Sequence, residues 1–118
     1  MDFPRPWNST YTLAGTTFST VELNRNIIFK AHEDKRNVPG ALICITTLGT
    51  YAGGRLVFPR YGYSAELEPT DLLICDNNRE LHGNMGPLVG VRYSVVAFFH
   101  ISVLEYTRRE SHWKNPQA

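Results

Sequence analysis

His32-Glu33-Asp34-Lys35-Arg36-Asn37 is the stretch on which the reading of this chain turns. In extended backbone alternate side chains share a face, so His32 and Asp34 project together while Glu33 faces away. An imidazole and a carboxylate placed in this way form a two-toothed metal clamp. A second imidazole beside them would complete the two-histidine, one-carboxylate set that holds non-haem Fe(II) on one face and leaves the other open for chemistry. His82 is the candidate for that third ligand. The rest of the chain then reads as the scaffold that brings residue 82 next to residues 32 and 34.

Working outward, residues 18–32 are rich in β-formers and free of Gly and Pro. Period-two parity puts Asn24, Asn26, Ile28, Lys30, His32 and Asp34 on one face of such a strand, provided no bulge intervenes. A polar inner wall leading to the clamp suits a barrel with a wet active site, and a solvent-facing outer wall would look the same. After the Val38-Pro39-Gly40 turn, Ala41–Leu48 reads as a strand buried on both faces and ended by Gly49. Gly53-Gly54 opens a strand at 55–58, Pro59 stops it, and Tyr61–Leu67 and Leu72–Cys75 follow. The loop 76–80 delivers Leu81-His82-Gly83, Asn84–Gly90 is a second loop, and Val91–Ile101 is the last strand. Residues 1–17 read as an irregular lead-in with one short strand near Tyr11–Leu13. Residues 104–113 read as a short helix, and the final four residues as frayed. Seven or eight short strands with no helix between residues 18 and 101 predict an all-β, antiparallel sandwich or barrel.

Composition bounds the rest. At 118 residues the chain is expected to be a single domain, with 18–101 as barrel and 102–118 as a C-terminal tail. Twelve Lys and Arg stand against eleven acids, a net charge of +1, so any polyanion must be gripped by a local patch. No apolar run approaches the roughly 20 residues that span a bilayer, and the start shows no secretory pattern. Cys44 and Cys75 both sit in apolar strand-like runs, which suits buried reduced thiols. These features predict an intracellular protein, nuclear or cytoplasmic, with no membrane partner, as a monomer or weak oligomer.

His-x-Asp alone is a weak motif. Its company strengthens it: His82 beside Gly83, then Arg92, with Ser94 two residues on and on the same strand face. A guanidinium with a neighbouring hydroxyl is a natural cradle for a carboxylate. This set resembles the core of the Fe(II)/2-oxoglutarate-dependent oxygenases, whose fold is a double-stranded β-helix of jelly-roll or cupin-like type. The framing text agrees, in Gly53-Gly54-Arg55-Leu56-Val57-Phe58-Pro59, Pro69-Thr70-Asp71 and His82-Gly83. The closer resemblance is to the TET/J-binding-protein branch, the nucleobase-methyl oxygenases, and especially its fungal TET-like members. His32-x-Asp34-x-x-Asn37 is similar to that branch's His-x-Asp-x-x-Asn, and Arg92 through His100 to its final strand.

What the resemblance implies is specific. His32, Asp34 and His82 would be the catalytic metal ligands for Fe(II). Arg92 and Ser94 would hold the distal carboxylate of 2-oxoglutarate, with O2 as co-substrate; parity and polarity, rather than the resemblance, add Asn24, Arg25 and Asn26 as candidates for the near carboxylate. Asn37 and His100 would contact a base edge and Phe98 would line the substrate pocket. The expected activity is hydroxylation of a C–H bond, most directly a nucleobase methyl such as that of 5-methylcytosine, in DNA or RNA. The same chemistry on a protein side chain or small metabolite remains open, as does a non-catalytic cupin-like metal-binding module or an incomplete oxygenase core. Single residues also have blander readings: His32 and Asp34 as a surface ion pair, Arg92 as partner to a core acid, Asn37 as a turn residue, His100 as a structural strand end. The animal enzymes' cysteine-rich zinc-binding region has no counterpart in a sequence with two cysteines.

Overall fold

The structure, a computed structural model, describes residues 11–114. The first ten residues of the lead-in and the last four of the tail lie outside the described residues. Five strands form one antiparallel sheet: β1 (Thr20–Arg25), β2 (Ile43–Phe58), β3 (Tyr63–Ala65), β4 (Leu72–Cys75) and β5 (Gly83–Phe98). A helix, α1 (Ile101–Lys114), closes the described chain.

β2 and β5 are sixteen residues each and pair along nearly their whole length, from Cys44 opposite Ala97 to Val57 opposite Gly83. This ribbon cannot be straight. Asn26 donates its backbone N–H to the Arg92 carbonyl, and Phe29 exchanges bonds with Asn84. Three residues of chain reach at most about 10 Å, whereas eight residues of straight β5 would cover about 26 Å. The ribbon therefore folds over, giving two arms. β1 and β4 flank the first arm, at β5 93–98 and β2 43–46. β3 and the segment ending in the single His32–His82 bridge flank the second. Four chain segments side by side on each arm, rolled face to face, make the double-stranded β-helix, as expected.

The bend accounts for the largest departure from the strand count. Gly49, Gly53-Gly54 and Gly90 look like strand ends but lie within continuous strands, and so does the Gly86-Pro87 pair taken for a loop. Pairing shifts by one residue between Gly53/Leu88 and Arg55/Met85, a β-bulge carrying the extra residue on β5. At its centre Gly54 has φ +67°, a left-handed conformation that glycine adopts without a Cβ penalty. Two long strands thus replace three short ones and a loop.

Other boundaries also move. β1 stops at Arg25 because Asn26 turns to φ +53°, so period-two parity does not carry past it and His32 and Asp34 are not on that strand. Residues 11–13 form bends rather than a strand, the strand at 61–67 shrinks to β3, and the helix starts at Ile101. The expectation that β2 starts buried on both faces fails at Leu42 and Leu48, which are exposed. On the first arm Val21, Leu23, Leu72, Ile74 and Tyr93 share that outer exposure.

Burial concentrates between the arms and beneath α1. Phe99 packs with Val38 and Ala41, and Ile101, Val103 and Leu104 of α1 cover them. Burying a phenylalanine this fully contributes about 2–3 kcal/mol. The Val38 N–H donates to the Phe99 carbonyl at 3.0 Å and the Ile101 N–H to the Arg36 carbonyl at 2.7 Å. The end of the His32–Asn37 stretch is thereby tied to the end of β5.

Candidate active site

His32 and His82 exchange backbone bonds in both directions, at 2.8 and 3.0 Å, and their rings lie 4.6 Å apart, centroid to centroid. That approach requires Gly83, since a Cβ there would come within 2.8 Å of the Ala31 nitrogen. Each ring is fixed in the same way. His32 Nδ1 lies 2.7 Å from the Lys30 carbonyl and His82 Nδ1 lies 2.7 Å from the Glu80 carbonyl. A carbonyl only accepts, so both Nδ1 atoms carry hydrogen, which in the neutral ring leaves Nε2 as the nitrogen with a lone pair for a metal. Burial holds His82 below the usual histidine range, with the neighbouring His32 acting in the same sense. The Glu80 carbonyl and the charge of Asp34 oppose the shift. Its neutral, ligating form is favoured.

Asp34 reaches the same cavity from a turn rather than from a strand. Its N–H donates to the Asn77 carbonyl at 2.9 Å, and the Asn37 side chain donates to Asn77 Oδ1. Asn78 donates to the Asn37 carbonyl at 2.8 Å, so three asparagines knot the two loops together. The Asp34 carboxylate accepts from the Arg36 N–H at 3.3 Å and pairs with Arg36 Nε at 3.7 Å. Among the described residues no three His, Cys, Asp or Glu side chains are yet gathered as a metal group.

The cavity lies between the arms and holds about 110 Å³. His32, Asp34 and His82 line it, as do Arg92 and Ser94. Arg92 is 6% exposed; its Nη1 donates to the Gly54 carbonyl and its Nη2 to the Ile27 carbonyl, both at 2.8 Å. The Tyr51 ring lies under the guanidinium, 5.8 Å from its centre. No acid pairs with Arg92 among the described residues. Burial lowers its pKa, and Tyr51 opposes the shift. A buried cation that keeps free donors on a cavity wall and lacks a counter-ion is an anion site.

Five expected residues do not line the cavity: Arg25, Asn26, Asn37, Phe98 and His100. The Asn26 side chain accepts from the Arg92 N–H at 2.7 Å and donates to the Gly90 carbonyl, so it serves β5 backbone. Asn37 is 1% exposed within the asparagine knot. His100 Nδ1 accepts from the Ser102 N–H at 3.1 Å, capping the start of α1. Phe98 is buried in the core. Asn24, also expected near the cosubstrate, does line it, and Thr47, Tyr51, Asn77 and Asn84 join the wall without having been anticipated. Asn84 ties the Phe29 N–H to the Gly54 carbonyl, and period-two spacing from His82 was the sequence signal for it. Nothing local marked Thr47 or Tyr51. Thr47 Oγ lies 2.6 Å from the Tyr51 hydroxyl, which donates to the Leu67 carbonyl.

Residues 5–101 match the Tet_JBP family, described as the oxygenase domain of the 2OGFeDO superfamily. The chain belongs to this family. It is 33% identical over 111 residues to the bifunctional helicase and thymine dioxygenase JBP2 of Leishmania infantum, covering 86% of this chain and 10% of the relative. The JBP2 of Trypanosoma brucei brucei is 30% identical over 103 residues, covering 82% of this chain and 9% of the relative. Among solved structures, NgTET1 in complex with 5mC DNA superposes with a TM-score of 0.71 at 20% identity, over 81% of this chain and 39% of that one. That likeness concerns the fold. The chain spans about a tenth of the length of the curated relatives it matches. The Tet_JBP match runs from the lead-in to the first residue of α1, so both arms fall within it. No helix among the described residues is long and apolar enough to cross a membrane.

Proposed function

We propose that this Tet_JBP domain is an Fe(II)- and 2-oxoglutarate-dependent dioxygenase that hydroxylates the C5-methyl group of a pyrimidine base in DNA. The observation that carries the reading is the pairing of two features in one cavity: an unpaired buried Arg92 on one wall, and two imidazoles presenting Nε2 on another. An anion and a cation are thus each provided for. The donor set fits non-haem iron, with His32 and His82 supplying nitrogen and Asp34 a carboxylate once it leaves Arg36. Arg92 and Ser94 would hold the distal carboxylate of 2-oxoglutarate. Iron, the oxo-acid and O2 together supply oxidation of an unactivated C–H bond.

The protein's own part is to bind and orient. The carbonyls of Lys30 and Glu80 fix the imidazole planes. Gly54 and Ile27 hold the guanidinium fork in one orientation, while Phe29, Leu56 and Val96 line the cavity with apolar surface that excludes water. The curated relatives are thymine dioxygenases and the structural neighbour was solved with 5mC DNA; thymine and 5-methylcytosine share a C5-methyl group. A paired base would have to leave the stack, at a cost of a few kcal/mol, to reach such a site. With a net charge of +1 the chain would depend on local phosphate contacts, for which Arg36 on the cavity wall is suited.

The test is turnover of duplexes containing either 5-methylcytosine or thymine as the sole methylated base, with Fe(II), 2-oxoglutarate and O2. Succinate and the hydroxymethyl base are quantified by mass spectrometry. Stoichiometric succinate and hydroxymethyl base, both abolished by His82→Ala, are expected. Succinate formation that ignores DNA, and instead requires a peptide or metabolite, would overturn the substrate. Absence of any 2-oxoglutarate binding would overturn the cofactor reading itself.

A further inference from the structure

Asn24 is the residue that the site leaves unexplained. It is 9% exposed, on the inner face of the first arm, and lines the cavity. Its side-chain amide has no hydrogen-bond partner among the described residues, and neither has the Ser94 hydroxyl. The amide is not shut away from solvent but opens onto the cavity, where its NH2 is free to donate to a ligand. Register identifies the neighbourhood. Asn24 stands directly opposite Ser94 across β1 and β5, and Ser94 stands opposite Thr47 across β5 and β2. Side chains directly opposite on one face have Cβ atoms about 5 Å apart. Arg92 lies two residues from Ser94, on the same face of β5.

We propose that Asn24 is a further cosubstrate-binding residue, its amide closing on the distal carboxylate held by Arg92 and Ser94. The inference rests on the cofactor reading above. A carboxylate has about four lone-pair sites. The Arg92 fork and the Ser94 hydroxyl fill up to three, and the Asn24 NH2 supplies the next donor from the adjacent strand. Thr47 is not that donor, since its hydroxyl is engaged with Tyr51 and the Glu68 carbonyl. Nor is Asn26, whose amide is committed to β5 backbone. Glu22 lines the same wall one inward-facing position along β1 from Asn24. A carboxylate displaced towards it would meet a like charge, so Glu22 marks the limit of the seat and favours a diacid of matched length.

The experiment is anaerobic titration of the Fe(II)-loaded full chain with 2-oxoglutarate and, separately, with 2-oxovalerate, which keeps the 2-oxo acid end and lacks the distal carboxylate. Wild type, Asn24→Ala and Asn24→Asp are compared by the visible charge-transfer band. The dissociation constant for 2-oxoglutarate should rise about tenfold in Asn24→Ala, the scale of a hydrogen bond to a charged group, and further in Asn24→Asp. The constant for 2-oxovalerate should change less than about twofold in Asn24→Ala, because the lost contact is to a group that ligand lacks. Equal losses for both ligands, or none for either, would overturn the assignment. Should the variants not fold, the side-chain 15N amide resonance of Asn24 in the wild-type protein loaded with Zn(II) gives the answer. It should shift with 2-oxoglutarate and stay in place with 2-oxovalerate, and the reverse overturns the proposal. If wild type binds neither ligand, the cofactor reading fails and takes this inference with it; if it binds 2-oxoglutarate and Asn24 is indifferent, only the inference fails.

Discussion

Substituting Gly54 separates the geometry of the Arg92 seat from the cost of a strained backbone. A Cβ at residue 54 would stand 2.4 Å from Arg92 Nη1 and 3.1 Å from its Cζ, in a backbone at φ +67°. The left-handed conformation costs an L-residue about 1–2 kcal/mol. The guanidinium must also move, because at 2.4 Å the overlap cannot be absorbed. Its hydrogen bond to the Gly54 carbonyl, a charge-assisted bond at 2.8 Å, is worth about 1.5–3 kcal/mol. Gly54→Ala should therefore lose about 2.5–5 kcal/mol of stability, the sum of the two effects. Gly62 supplies the control, with φ +59° and nothing within 4 Å of its added Cβ. Gly62→Ala should lose only the backbone part, about 1–2 kcal/mol. Urea unfolding of the metal-free proteins measures both losses, and 2-oxoglutarate titration of the loaded proteins reads the site. Affinity should fall at least about tenfold in Gly54→Ala, consistent with loss of a positioned charged donor, and stay at the wild-type value in Gly62→Ala. If the two variants lose equal stability and bind the oxo-acid equally well, the bulge does not position Arg92 and the reasoning fails.

Three further outcomes follow from other parts of the molecule. Arg36 pairs with the Asp34 carboxylate from an exposed position, so Arg36→Gln should strengthen Mn(II) binding about two- to fivefold, the scale of an exposed ion pair; unchanged or weaker binding by EPR titration counts against that competition. Burial, followed by the charges of Asp76 and Glu80, pushes the Cys75 thiol up from 9.0 to about 11. The fold thus favours the protonated thiol, and this contribution to stability is present below pH 9 and is lost as pH rises towards 11. Iodoacetamide labelling of Cys75 should accordingly climb about tenfold per pH unit through that window, whereas a rate already saturated at pH 9 would contradict the shift. Leu23 and Leu72 are 65% and 62% exposed on the outer face of the first arm. Replacing both with Thr should change stability by less than about 0.5 kcal/mol each and suppress self-association in sedimentation runs; a large loss of stability would mean that this face is packed.

How much of this was readable in the residues depends on whether the deciding signal was local. The fold class was readable, because short runs of β-formers bounded by Gly, Pro and Asn turns are local signals that need no partner to be seen. The grouping of His32, Asp34, His82, Arg92 and Ser94 was readable from residue type, and all five line one cavity. The strand count was not, because a glycine at positive φ is the same local event whether a strand ends there or bends while its ladder continues. Only the pairing of Thr50 with Val91 and of Tyr51 with Gly90, forty residues apart in sequence, distinguishes a corner from a terminus. That Asn26 fails where Asn24 holds its place on the cavity wall has one further cause. Parity counts correctly only while φ stays extended, and Asn26 itself, at φ +53°, is where the count breaks. Of the three residues expected near the ligand's carboxylate, Asn26 is the one that turns the chain. In turning it frees its own side chain to fasten β5, leaving Asn24, the last inward-facing residue before the break, as the amide that looks into the cavity.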